Sequence, residues 1–189
     1  NIFWMLDSKC NFECWYCADH LHSKHFYKNI DQINIIKANI LQVAKKHKSF
    51  INIGGGEPTI LNDLPKWCAE FRQEGSRVIV TTNGSRSLKY LVDLSKHTEI
   101  VFSVHMHQPK LLKLAEKINK LSYQNFLPFQ VQIPCAPQEV INLKKLLQTF
   151  ETGRFSIQVQ KLFFKDGTTM PYSEKQEDLI NNINKTFTF

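Results

Sequence analysis

The sequence Cys10-Asn11-Phe12-Glu13-Cys14-Trp15-Tyr16-Cys17 is the stretch on which the interpretation of the whole chain depends. Its three cysteines have a CxxxCxxC spacing and follow directly after a first apolar segment, residues 2–6. Three thiolates this close, on a loop that can wrap, can bind three irons of a cubane four-iron, four-sulfur cluster, because soft sulfur ligands suit iron. The fourth iron then has no protein ligand and can accept a substrate or cofactor.

A structural zinc site is the alternative interpretation of these cysteines. Zinc normally takes four Cys or His ligands, and His20, His22 or His25 could supply the fourth. Disulfide bonds are disfavoured because the chain has five cysteines, an odd number. The N-terminus also lacks the basic-then-apolar pattern of a secretory signal. We therefore expect a cytoplasmic protein with reduced thiols.

Length and composition predict one ordinary globular domain. The chain has 189 residues, of which 42% are hydrophobic, enough for a substantial core. No apolar run approaches the roughly 20 residues of a membrane span, so we expect no membrane segment. The formal net charge of +7 favours acidic partners such as nucleic acid, phosphorylated sugars or nucleotides. Because the basic residues are scattered along predicted helices, solvated helix faces are the simpler explanation.

Strand-like and helix-like segments alternate along the chain. Predicted strands lie at residues 2–6, 50–53, 78–80, 100–104, 129–133 and 155–162, with an amphipathic helical pattern after each of the first five. In the first predicted helix Ile33, Ile36 and Ile40 recur at helical spacing, and Asp31 is placed to cap its start. Such alternation predicts βαβ units and a parallel sheet. A closed eight-unit barrel needs about 200 residues or more, so we predict an α/β fold with an open, partial (β/α)6 TIM-like barrel. We assign residues 1–165 to this core and 166–189 to a helical extension packed against it.

Glutamines alternate with aliphatic residues in the last two predicted strands, at residues 130–133 and 157–160. The outer face of a helix-covered parallel sheet is apolar, so the glutamines are expected to point into the barrel. A polar interior predicts a space for a ligand. The alternative is an edge strand with one solvated face.

The cysteine motif, with the aromatic Tyr16 directly before its last cysteine, resembles the signature of the radical S-adenosylmethionine (SAM) enzymes. Gly55-Gly56-Glu57, at the end of the second predicted strand, resembles the GGE motif of the same family. The resemblance implies that Cys10, Cys14 and Cys17 bind a [4Fe-4S] cluster whose open iron chelates SAM. Reductive cleavage of SAM, with flavodoxin or ferredoxin as electron donor, would yield a 5'-deoxyadenosyl radical that abstracts a substrate hydrogen.

The resemblance also implies which residues bind the cofactor at the carboxyl ends of the strands. The set comprises Gly55, Gly56 and Glu57 at the SAM amino group, with Gly54 in addition, then Thr82 and Asn83 near SAM, and Ser103 at its ribose or carboxylate. We expect the adenine to rest on Tyr16 and on backbone near Ile133. Without the resemblance, the glycines and the Thr82-Asn83-Gly84 segment would predict only turns.

Further polar residues follow the later strands and are candidates for substrate chemistry. His105 is predicted to contact SAM or to act as an acid or base on the substrate, although many members of the family have an acidic residue near this position. We expect an ordinary role for His107. Cys135 could donate a hydrogen atom to a product radical, or could be a small buried residue. Lys161 and Lys165 could hold a phosphate or carboxylate.

These observations predict a radical SAM enzyme acting on a small, anionic substrate such as a nucleotide, a sugar or another metabolite. One alternative is an activating enzyme that forms a glycyl radical on a partner protein. A second alternative is a zinc- or cluster-containing nucleic-acid-binding module. The sequence lacks the basic stripe interleaved with aromatic residues that such a module would need.

Overall fold

A computed structural model describes residues 1–17, 25, 28–108, 110–124, 127, 129–151, 154–164 and 166–187. Its six strands form one parallel sheet in which the spatial order is the chain order. The strands are β1 Ile2–Met5, β2 Phe50–Gly54, β3 Arg77–Thr82, β4 Glu99–Ser103, β5 Phe129–Cys135 and β6 Ser156–Lys161. Successive βαβ units produce this order when a sheet curls into a partial barrel. The predicted α/β, six-unit architecture is confirmed.

A helix follows each strand. These helices are α1 Ile30–Lys46, α2 Leu64–Gln73, α3 Leu88–Ser95, α4 Leu111–Ser122, α5 Val140–Thr149 and α6 Glu174–Phe187. The sequence suggested Asp31 as the cap of α1, but the cap is Asn29, whose side chain accepts a hydrogen bond from the backbone of Gln32 at 2.7 Å. None of the described helices is long and apolar enough to cross a membrane.

The core lies between the sheet and the surrounding helices. On the strands it consists of residues such as Ile53, Val80, Phe102 and Val131, all with 0% exposure. Trp4 of β1 stacks on Trp67 of α2, with ring centroids 5.9 Å apart. The alternate strand positions face the opposite, concave side, where Gln130, Gln132 and Gln160 are only partly buried and Gln158 is exposed. The glutamines therefore lie on the predicted face.

The outer edge of β6 is covered by α6. Ile180 and Ile183 of α6 belong to the same hydrophobic cluster as Val159 of β6. The side chain of Asn184 accepts a hydrogen bond from the Val159 amide at 2.7 Å and donates one to the Val159 carbonyl at 3.0 Å. Asn184 thus makes the pair of hydrogen bonds that a further strand would make, which blocks the edge against pairing with another chain.

Candidate cofactor site at the carboxyl ends of the strands

A cavity of about 470 Å³ lies where the carboxyl ends of the strands meet the cysteine loop. It brings together predicted site residues that are far apart in sequence, namely Cys10, Cys14, Tyr16, Cys17, Gly55, Gly56, Thr82, Asn83, Ser103 and His105. Gly54, Glu57 and Cys135 are not among its lining residues. The cavity is large enough to hold a cofactor-sized ligand.

The three cysteines are half-buried and are not joined by disulfides. Burial, followed by the charges of Cys10 and Cys17, raises the pKa of the Cys14 thiol to about 11, and burial also raises the pKa of Cys10. Deprotonating these thiols therefore requires a strong compensating charge, such as a bound metal centre supplies. Three thiols around one cavity fit that requirement.

Among the described residues, no three Cys, His, Asp or Glu side chains converge as ligands of one metal ion would. A cubane cluster binds each thiolate to a separate iron and so spreads the sulfur atoms further apart. His25 is exposed, whereas the other zinc candidates, His20 and His22, lie outside the described residues.

Asp7 joins the start of the cysteine loop to the segment before α1, a role that sequence reasoning missed. Its Oδ1 accepts hydrogen bonds from the backbone amides of Ser8 at 2.7 Å and Lys9 at 3.1 Å. Its Oδ2 accepts one from the amide of Lys28 at 2.9 Å. An Asp directly after a strand, followed by Ser, is typical of an Asx-turn and could have predicted the first contact. The contact with Lys28 depends on the fold.

Gly55 and Gly56 are required by the close approach of protein backbone. A Cβ on Gly55, whose φ is 121°, would lie 2.3 Å from the carbonyl oxygen of Asp7, and one on Gly56 would lie 2.1 Å from that of Lys9. The amide of Gly56 also donates to the Asp7 carbonyl at 2.8 Å. The sequence interpretation assigned these glycines to the SAM amino group. The structure shows that they also seat the start of the cysteine loop against β2.

Glu57 ties the ends of two strands together instead of facing the cavity. It is 3% exposed. Its Oε1 accepts hydrogen bonds from Thr59 and, at 2.7 Å, from the hydroxyl of Thr82, while Oε2 accepts from the Asn83 amide at 2.6 Å. Burial raises the pKa of Glu57, and these donors oppose that effect. The contact between Glu57 and the SAM ammonium stays a prediction, while the structure shows both carboxylate oxygens accepting from protein donors.

Asn83 extends this hydrogen-bond network to the cysteine loop. Its Nδ2 donates to Oδ1 of Asn11 at 2.9 Å, across 72 positions of sequence, while its Oδ1 accepts from the Ser85 amide at 3.0 Å. From the outer side, the ammonium of Lys117 donates to the carbonyl of Gly84 at 2.5 Å. The loop after β3 is thus fixed from both sides, and it holds the residue next to Cys10 in position.

Tyr16 and His105 form a hydrogen-bonded aromatic pair on the cavity wall. The phenol oxygen of Tyr16 bonds to Nδ1 of His105, and the ring of His107 lies edge-on to Tyr16 with centroids 5.5 Å apart. Burial, followed by the charge of His107, lowers the pKa of His105 to about 4. Burial raises the pKa of Tyr16. At neutral pH His105 is therefore neutral, and one hydrogen bond joins its Nδ1 to the phenol oxygen of Tyr16.

Two candidates at the later strand ends do not reach the cavity. Cys135 has 0% exposure, its thiol donates to the Ala136 carbonyl at 3.6 Å, and burial raises its pKa to about 12. The structure therefore favours the buried structural role over the hydrogen-atom donor. Lys161 forms an ion pair with Glu177 of α6 at 2.9 Å. Lys165 lies outside the described residues.

A short hairpin after β6 forms a further wall that sequence reasoning missed. Leu162, Phe163, Phe164 and Gly167 line the cavity. The hairpin is closed by hydrogen bonds from the Phe164 amide to the Thr168 carbonyl at 2.7 Å and from the Met170 amide to the Leu162 carbonyl at 3.1 Å. The Asp166-Gly167 dipeptide, with Gly167 at φ 86°, is a hairpin-turn signal that could have revealed it.

The fold and the site define a partial-barrel protein with a cysteine loop beside a cofactor-sized cavity. The model of the Radical SAM superfamily matches residues 7–127, and the chain therefore belongs to this superfamily. This membership confirms the predicted resemblance and the prediction of an enzyme class. It implies SAM and an iron-sulfur cluster as cofactors.

Individual relatives match parts of the chain. A Saccharolobus islandicus protein named as a GTP 3',8-cyclase is 36% identical over 103 residues, 51% of this chain and 32% of the relative. A Methanocaldococcus jannaschii protein named as a glycyl-radical enzyme activating enzyme is 33% identical over 101 residues, 51% of this chain and 35% of the relative. The chain thus spans about a third of these relatives' length.

A solved structure resembles the whole chain in fold. Streptococcus suis SuiB bound to S-adenosylmethionine matches with a TM-score of 0.63 and 18% identity, covering 98% of this chain and 46% of SuiB. At this identity the likeness concerns the fold, which is the partial barrel described above.

Proposed function

We propose that this chain is the radical SAM domain of an enzyme in which Cys10, Cys14 and Cys17 hold a [4Fe-4S] cluster. The observation that carries the proposal is that one cavity, in a chain of this superfamily, brings these thiols together with Ser103 and the Gly55-Gly56 backbone. When bound, the cluster would supply the electron for reductive cleavage of SAM to a radical that takes hydrogen from a substrate. Flavodoxin or ferredoxin is the proposed electron donor, and the cytoplasm the proposed location.

The chain's own residues would bind and orient SAM. The hydroxyl of Ser103 and the backbone of Gly55 and Gly56 line the cavity and are placed to meet polar groups of the ligand. The ring of Tyr16 offers a flat surface for the adenine, and its hydrogen bond to His105 restrains the phenol. Glu57 and Asn83 act by positioning the strand ends and the cysteine loop. His105 contacts the ligand as a neutral group in this account.

The substrate expected from the net charge finds little support in the site. No lysine, arginine, aspartate or glutamate lines the described part of the cavity. The described lining therefore offers no cation to a small anionic substrate.

The second candidate function, activation of a partner protein by forming a glycyl radical, is favoured by the similarity to the Methanocaldococcus protein. The nucleic-acid-binding module is disfavoured by membership in an enzyme superfamily.

Anaerobic reconstitution with iron and sulfide tests the proposed function. We expect about four irons per chain, and 5'-deoxyadenosine after addition of SAM and dithionite. Cys14→Ala should abolish both the cluster and the product. The matched control is Cys68→Ala, because Cys68 is fully buried on α2 and does not line the cavity. A single bound zinc ion, or an intact cluster in Cys14→Ala, would refute the assignment.

A further inference from the structure

A row of three polar side chains crosses the concave face from the cofactor cavity toward β6. Ser103 of β4 is in register with Gln132 of β5, and Gln132 is in register with Gln158 of β6. Neighbouring strands lie about 4.8 Å apart, so the row spans about 10 Å. We call Ser103, Gln132 and Gln158 the amide row.

The amide row is accessible and begins at the cofactor cavity. Ser103 lines the cavity and is partly exposed, as is Gln132, while Gln158 is exposed. Gln130 lies on the same face of β5, toward the amino end of the strand. The side-chain amide of Gln132 donates to the side-chain carbonyl of Gln130 at 3.3 Å, so Gln130 adds a further amide to the surface beside the row. A ligand lying on the row would therefore have one end next to the place where SAM is proposed to bind.

The three charged side chains on the strands of the sheet, Arg77, Glu99 and Lys161, are paired within the protein. Arg77 and Glu99, at the amino ends of β3 and β4, form two hydrogen bonds of 2.6 and 2.7 Å with each other. Lys161 is directed to Glu177 of α6. Described residues thus provide no cation at the row to offset the desolvation of a phosphate. An uncharged ligand is favoured.

We propose that the amide row binds an uncharged peptide segment lying across the strands as the substrate. This inference rests on the proposed function and names its substrate class. A glutamine amide both donates and accepts hydrogen bonds, as a peptide group does. About 10 Å corresponds to about three residues of extended chain. Phe163 and Phe164, which are 55% and 49% exposed at the cavity, offer apolar surface for a substrate side chain.

Selection from a random peptide library tests the inference. The immobilised wild-type chain, with SAM present, is used to select from a displayed library, and the recovered peptides are synthesised with uncharged ends. Their affinity is measured by calorimetry for the wild type, for the double variant Gln132→Leu/Gln158→Leu and for Gln148→Leu. Gln148 is exposed on the outer helix α5 and provides the control. GTP and ADP are measured in parallel.

The expected result is peptide binding that weakens at least tenfold in the double variant and is unchanged in the Gln148 variant, with no nucleotide binding. Failure to recover any peptide, equal binding by the double variant, or preferential binding of GTP or ADP would overturn the inference. Formation of 5'-deoxyadenosine by the double variant without peptide reports separately on the proposed function. If that product forms while peptides fail to bind, only the substrate class is wrong.

Discussion

At the scale of single residues, Gly54 and Gly56 are subject to different constraints although only one residue separates them. A Cβ on Gly56 would lie 2.1 Å from a backbone oxygen, whereas one on Gly54 would have nothing within 4 Å. We predict that Gly56→Ala lowers the free energy of unfolding by about 1–3 kcal/mol and reduces iron uptake, because the cysteine loop is displaced. Gly54→Ala is the control and should be nearly neutral. Urea unfolding and iron content measure both effects, and equal behaviour of the two variants would contradict the prediction.

The low pKa of His105 predicts how stability depends on pH. Because the pKa is lowered to about 4 from 6.5, the unfolded chain binds the proton first, so stability is lost as pH falls from 6.5 toward 4. The loss is at most about 3 kcal/mol. Iron-free His105→Gln protein should lack this part of the pH dependence. The control is His47→Gln at the exposed end of α1. Urea unfolding between pH 4 and 7 gives the comparison, and parallel curves for wild type and His105→Gln would contradict it.

The sequence predicted which residues lie at the cavity better than it predicted their contacts. Spacing alone was enough to single out Cys10, Cys14 and Cys17, since ligands on one short loop are local. The hydrogen bonds of Glu57 are not local, because two of its donors belong to Thr82 and Asn83, on the next strand and its loop. The burial of Cys135 likewise depends on the elements that pack around the end of β5. Such roles follow from tertiary structure and not from motif position.

At the scale of secondary-structure elements, the pairing of α6 with the edge of β6 gives a direct prediction. Asn184→Ala removes both partners of the buried Val159 backbone groups and should cost about 1–3 kcal/mol. The Val159 amide should then exchange faster with deuterium. Asn181→Ala, at an exposed position of the same helix, is the control. Unchanged exchange at Val159 would show that Asn184 is dispensable for covering the edge.

The helices and strands themselves were predictable because apolar residues recur in each of them at the spacing typical of its structure. Ile33, Ile36 and Ile40 predicted α1, and the alternation in residues 130–133 predicted β5 and its polar face. The exact start of α1 at Asn29 was missed, since Asp31 is an equally good capping residue in sequence. The hairpin after β6 was missed because its two arms are too short to show a regular alternation of apolar and polar residues.

At the scale of the whole molecule, one hydrophobic cluster extends from Trp4 of β1 to Ile183 of α6. We predict a single cooperative urea transition, in which tryptophan fluorescence and far-ultraviolet circular dichroism coincide. In that case residues 1–165 and 166–189 are two segments of the chain that share one hydrophobic core, and not two independently folding units. An earlier loss of helical signal, before the fluorescence changes, would instead show that α6 unfolds on its own.

The sequential strand order leaves β1 and β6 at opposite margins of the sheet, with no ladder between them. Sheet curvature therefore sets the separation of these margins, and no inter-strand hydrogen bond joins them. The cysteine loop is anchored elsewhere, by backbone hydrogen bonds from Gly56 and Glu57 at the end of β2 and by Asn83 after β3. The position of the thiols thus depends on the middle of the sheet and not on its margins.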